Sequence, residues 1–185
     1  MSLKISVSWP AWSWKSSLIA AIVKKYWMET IDVGQIFRKR AVARWFTIAE
    51  YDKIVENNPQ EDREIEEETK QFIEHCSSDI IVSRRMWFHI LPNIISIRLD
   101  VSPQEWAQRV FLAADRGNQE QPYANVEEAL VANQNRMSRL KERLLHVYHV
   151  DFTDTSHYTK IIDTTGKTFD QNFEELDRYI ASLKK

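Results

Sequence analysis

The sequence predicts an α/β fold of three layers, a central parallel sheet of about five strands covered by helices on both faces. Two observations carry that expectation. Short β-branched runs, among them Ile5–Ser8, Ile80–Val82 and Ile94–Leu99, alternate with longer stretches of helical period, the pattern of strands joined by crossover helices. Those runs are largely apolar without strict alternation, as in strands buried on both faces. With 185 residues, 43% hydrophobic and 28% charged, the chain can bury a substantial core. Its length suits one domain, 1–185, with room for a small lid.

Each element has a local reason. Residues 3–8 read as the first strand and 15–26 as the first helix, with Leu18, Ile19, Ile22 and Val23 on its apolar side. Glu29–Val33 is a short second strand, and Gly34 opens a helix running to about Arg44. Thr47 and Glu50 make a capping box for a helix over Thr47–Glu56. Asn57-Asn58-Pro59 breaks it. Gln60–His75 is a strongly charged helix with Ile65, Phe72 and Ile73 as its apolar side. Strands follow at 80–82 and 94–101. Ser102-Pro103 then caps a helix over 104–115, with proline at the first helical position. Residues 115–125 are polar and loop-like. Val126–Val147 is a long helix rich in arginine and lysine, and Asp151–Ser156 is a turn region. Tyr158–Asp163 is the last strand and Asp170–Leu183 the last helix.

Composition removes several classes of function. A formal net charge of −2 argues against an electrostatic binder of nucleic acid or membrane. The single cysteine, Cys76, allows no internal disulfide and fits a reducing cytoplasm. No secretory segment opens the chain, and no apolar run approaches the ~20 residues that span a bilayer. The expectation is a cytoplasmic protein. The five histidines show no metal-ligand spacing.

The informative stretch is Ile5 to Ile19. Apolar Ile5 and Val7 lead into a turn, then Lys15-Ser16, then an amphipathic helix. This is the frame of a phosphate-binding loop, G-x-x-x-x-G-K-[ST]. Trp9 and Trp14 occupy both glycine places, and Trp12 stands where such loops often carry a third. Pro10, Ala11 and Ser13 fill other places, and Ser17 follows the Lys15-Ser16 pair. Such a loop binds phosphate because successive backbone N–H groups face one concavity at a helix N-terminus. Tryptophan enters the left-handed region reluctantly and fills the space a phosphate needs. The frame is that of a nucleotide site, and the loop as written is unsuited to hold a nucleotide.

Glycine is scarce throughout, 3 of 185 residues, whereas tryptophan is 7; an ordinary chain carries ~7% glycine. Trp27 follows Lys24-Lys25-Tyr26 at the end of the first helix, where glycine is favoured. Trp45 follows Arg40–Arg44 in the same way. The pattern reads as glycine exchanged for tryptophan at several places together, since decay of one site would not substitute a single residue type so often.

Five stretches together resemble the P-loop nucleoside monophosphate kinases, in particular the short cytidylate kinases of archaeal type. Trp9–Ser17 lies on the phosphate loop. Val33-Gly34-Gln35-Ile36-Phe37-Arg38 is similar to the family's T-G-[DQ]-I-F-R. Asn58–Ile65 is similar to N-P-E-[IY]-D-[RK]-E-I, and Ile81–Met86 falls on V-L-E-G-R-L. Arg136–Arg143 with Tyr148–Asp151 falls on a helix R-x6-R followed by Y-G-[IV]-D. Departures are Ser83-Arg84 for Glu-Gly, His149 for the motif glycine, and the loop tryptophans. Trp87 and Trp106 stand where no aromatic is required.

The resemblance implies transfer of the ATP γ-phosphoryl to CMP or dCMP, with ATP and Mg²⁺ as cofactors and nucleotides as partners. It implies that Lys15 bridges the phosphates and the Ser16 hydroxyl holds Mg²⁺, within a cofactor loop of residues 9–17. Arg38 and Arg85 would hold the acceptor phosphate, and Asp62 the amino group of the base. Arg136 and Arg143 would close over the transferring group, with Arg109 and Arg116 as weaker lid candidates and Asp100 as a possible metal aspartate. Helices at about 34–76 would bind the acceptor, and about 109–143 would form the lid. Two other readings stay open. One is a non-catalytic scaffold with this fold or an engineered variant, and the other a kinase of another small acceptor, marked by Ser83-Arg84.

Overall fold

The computed structural model describes residues 2–8, 15–83, 86–113 and 123–184. Five strands form one sheet: β1 (Lys4–Ser8), β2 (Glu29–Asp32), β3 (Ile80–Ser83), β4 (Ile95–Asp100) and β5 (Lys160–Asp163). Their order is β2-β3-β1-β4-β5, and every pairing is parallel. Ile5 lies between Ile81 and Ile95, and Val7 between Ser83 and Ile97. The expected parallel sheet of five strands is the sheet observed.

The helices among the described residues are α1 (Lys15–Tyr26), α2 (Val33–Ala43), α3 (Ile48–Asn57), α4 (Pro59–His75), α5 (Trp87–Ile90), α6 (Pro103–Ala113), α7 (Val126–Tyr148) and α8 (Phe169–Leu183). Period-2 alternation along the strands divides the core between the two faces. Ile5, Val7, Ile81, Ile97, Leu99 and Ile162 pack with Leu18, Ile19 and Ile22 of α1 and with Leu176 and Ile180 of α8. Ile80 and Val82 pack instead with Val33 of α2, Ile65 and Ile73 of α4, and Trp87 of α5. Each such buried aliphatic side chain contributes about 1.5–3 kcal/mol. A separate cluster of Trp106, Ala107, Val110 and Ala129 joins α6 to α7.

Local differences from the sequence reading have physical causes. β2 stops at Asp32 because that carboxylate turns to cap α2, accepting the Gly34 N–H at 2.9 Å. Asn58 closes α3 and caps α4, so one residue makes the break. The single turn α5 was not expected; four residues give no periodic signal. It is closed by the Leu91 N–H donating to the Trp87 carbonyl at 2.8 Å. Trp87 and Trp106, where the sequence showed no aromatic requirement, are 0% and 4% exposed and fill separate core clusters.

Candidate active site at the carboxyl ends of the strands

Because all five strands are parallel, Ser8, Asp32, Ser83 and Asp100 end on one edge of the sheet. The chain leaves β1 to build β2 and β3 on one side, then crosses to β4 on the other. Open α/β sheets bind ligands beyond the strand ends at such a reversal. Lys15, Ser16 and Ser17 form the first turn of α1, which holds no acidic side chain. A helix start of that kind, with its dipole, suits an anion. Trp9, Pro10, Ala11, Trp12, Ser13 and Trp14 lie outside the described residues, as do Arg85 and Arg116.

Helix α4 supplies two rows of acids, each spaced for one helix face. Glu61, Glu64 and Glu68 face α2. Arg40 pairs with Glu68 at 2.7 Å and lies 3.7 Å from Glu61 and 3.6 Å from Glu64. Arg44 pairs with Glu61 at 2.5 Å. The Tyr51 hydroxyl of α3 donates to the same Glu61 carboxylate at 2.8 Å. The Arg44 hydrogen bond, with help from Tyr51, holds the Glu61 carboxyl below its ordinary pKa against the opposing effect of burial. Burial, then the Glu61 contact, raises the Tyr51 phenol. These contacts bind α2, α3 and α4 into one unit.

The second row, Asp62 and Glu66, faces α7. Asp62 is 6% exposed and lies 3.8 Å from Nη2 of Arg143. The Arg143 Nε is buried and donates to nothing, an uncompensated donor beside a carboxylate. Four residues beyond Asp62, Glu66 accepts the Tyr148 hydroxyl at 2.8 Å. Lys141 reaches from α7 to Asp151 at 2.8 Å. The Lys141 and Thr153 hydrogen bonds hold the Asp151 carboxyl at about 2.

Of the predicted site residues, the structure brings Asp62 and Arg143 together. Arg38 stands over the end of β2, 3.7 Å from Asp32. Arg136 is exposed, two helical turns (~10 Å) from Arg143 along α7. Asp100 is ion-paired with Arg98 at 2.6 Å. Arg109 bonds Glu105 at 2.5 Å and the Thr164 carbonyl at 2.9 Å, anchoring α6 to the end of β5. The sequence assigned no role to Glu61, Glu66, Tyr51 or Tyr148, although Glu61 and Tyr148 lie within the quoted motifs. The signal for the acids was their three- and four-residue spacing along α4; the partners of the tyrosines are set by helix packing. Among the described residues, no group of three or more His, Cys, Asp or Glu side chains could hold a metal ion. Likewise, no helix there is long and apolar enough to cross a membrane.

No family model matches the chain. The cytidylate kinase of Thermococcus kodakarensis is 32% identical over 88% of this chain and 79% of its own length. The chain belongs to the cytidylate kinase family. The cytidylate kinase of Pyrococcus abyssi is 30% identical over 88% of this chain and 85% of its own length. Among solved structures, the shikimate kinase of Bacteroides thetaiotaomicron superposes with a TM-score of 0.64 at 14% identity, covering 99% of each chain. At that identity the likeness speaks for the fold alone. Membership of the kinase family, with this fold, makes the protein a nucleoside monophosphate kinase by descent.

Proposed function

We propose that the protein is built to transfer the γ-phosphoryl of ATP to cytidylate, CMP or dCMP, in a Mg²⁺-dependent reaction. The observation that carries this reading is the Asp62–Arg143 apposition, which joins an acceptor helix to a basic lid helix. Phosphoryl transfer asks the protein for positioning and positive charge. In this reading α2–α4, residues 34–76, hold the acceptor, and residues 109–143 are the lid. Asp62 accepts from the amino group of the base. Arg38 and Arg85 grip the acceptor phosphate, which suits the planar guanidinium. Arg136 and Arg143 neutralise charge on the moving group.

The donor side fits only in part. Lys15 and the Ser16 hydroxyl, at a helix start free of acids, fit a phosphate and its Mg²⁺. Trp9, Trp12 and Trp14 do not. A tryptophan backbone resists the left-handed conformation that such a loop uses, and an indole needs the space of a phosphate. The chain as written is therefore read as impaired, and the loop favours a second reading, a non-catalytic scaffold with this fold. Titration calorimetry with Mg-ATP on the chain and on a W9G/W12G/W14G variant separates the two. Micromolar binding by the variant alone supports the kinase reading. No binding by either supports the scaffold, and micromolar binding by the unaltered chain overturns the impairment. In a binding-competent variant, R143M is expected to lower kcat about 100-fold. D62A is expected to raise the acceptor KM about 10-fold or more.

A further inference from the structure

Two of the tryptophans outside the nucleotide site stand where the backbone asks for glycine. Trp27 has φ 54° and is 92% exposed; Trp45 has φ 60° and is 95% exposed. Both follow a helix whose last turn is closed by a bond spanning five residues. After α1, the Met28 N–H donates to the Val23 carbonyl. After α2, the Phe46 N–H donates to the Ala41 carbonyl and the Trp45 N–H to the Val42 carbonyl, both at 3.0 Å. These are Schellman closures, whose left-handed residue is most often glycine. A bulky side chain there is an outlier. Neither indole gains burial in exchange for the strained backbone.

The remaining tryptophans sort cleanly. Trp87 and Trp106 are buried in core clusters and are not among the positive-φ residues. Trp9, Trp12 and Trp14 fall on the glycine places of the phosphate-loop frame. Loss of a nucleotide site explains changes at 9, 12 and 14 but not at two distant helix ends. A helix-end cause explains 27 and 45 but not the loop. One cause covers all five: a codon with two readings. UGA is read as tryptophan in some genetic codes and as glycine in others.

We infer that residues 9, 12, 14, 27 and 45 are glycine in the polypeptide made by the cells that carry this gene, each from a UGA codon. The phosphate-loop motif of that polypeptide is then complete in sequence, with Lys15 and Ser16 at its end. The part concerning 9, 12 and 14 rests on the kinase reading, whereas 27 and 45 stand on helix-end geometry. The first test is mass spectrometry of tryptic peptides spanning Ile5–Lys15, Tyr26–Arg38 and Trp45–Lys53, from protein isolated out of its own cells, beside the codons of the gene. Glycine masses and UGA at all five positions support the inference. Tryptophan masses, or UGG at 27 and 45, overturn it. The second test compares W27G and W45G with the chain as written by thermal unfolding. Each is expected to raise Tm by about 2–4 °C, and a fall in Tm for both overturns the inference. A five-glycine protein that is more stable yet binds no Mg-ATP supports the helix-end assignment and counts against the kinase reading instead.

Discussion

Asp151 shows what two neighbours do to one carboxylate. The Lys141 ammonium and the Thr153 hydroxyl and N–H converge on it and hold its pKa at about 2, below the ordinary 3.8. A depressed carboxylate stabilises the fold above its unfolded pKa, and that contribution is lost as the pH falls toward the folded value. The side chain is 35% exposed, so solvent screening reduces the effect. Asp151→Asn is expected to cost about 1 kcal/mol at pH 7 and almost nothing at pH 2. Urea unfolding at the two pH values checks this, and an equal gap at both would assign the cost to packing. Glu61 answers to three partners, Arg44, Arg40 and Tyr51. Glu61→Ala leaves a buried phenol unpaired and is expected to cost about 2–3 kcal/mol, read by the same method.

At the scale of elements, capping decides where helices begin. Thr47 accepts the Glu50 N–H while the Glu50 side chain accepts the Thr47 N–H, the capping box read from sequence. Thr47→Ala is expected to cost about 1 kcal/mol and to fray the start of α3 in hydrogen exchange. A second box, Thr168 with Gln171, starts α8 at Phe169, one residue before the start expected at Asp170. The α6–α7 pair depends on a small satellite core. Trp106→Ala removes its largest member and is expected to cost about 3–5 kcal/mol. If α6 and α7 form a separately mobile lid, as proposed, exchange protection there falls while that of β1, β3 and β4 holds. Uniform loss across the sheet would argue against a separable lid.

For the whole molecule, the sheet is the fixed part and α7 spans between units. Its far end reaches α4 through Arg143–Asp62 and Tyr148–Glu66, and its start packs on α6. Tyr148→Phe removes the hydrogen bond to Glu66 and is expected to cost about 1 kcal/mol. In a nucleotide-competent variant it should raise the acceptor KM more than it lowers kcat, measured by steady-state phosphorylation of CMP. An unchanged KM with full stability would show that the contact has no part in holding the acceptor side.

The sequence by itself determined the layers, the parallel sheet and the place of Lys15 and Ser16, because β-branched runs, helical period and a strand–turn–Lys–Ser–helix frame are local signals. It also marked Trp27 and Trp45 as glycine positions, since many helices close with a left-handed residue just past their last turn, most often glycine. Tertiary structure alone decided which acids of α4 meet which helix. The spacing of Glu61, Asp62, Glu64, Glu66 and Glu68 separates two faces, but only packing against α2 on one side and α7 on the other assigns partners to them. It likewise decided that Trp87 and Trp106 belong to the core. Burial is a property of neighbours brought from far along the chain, and no window of sequence contains them.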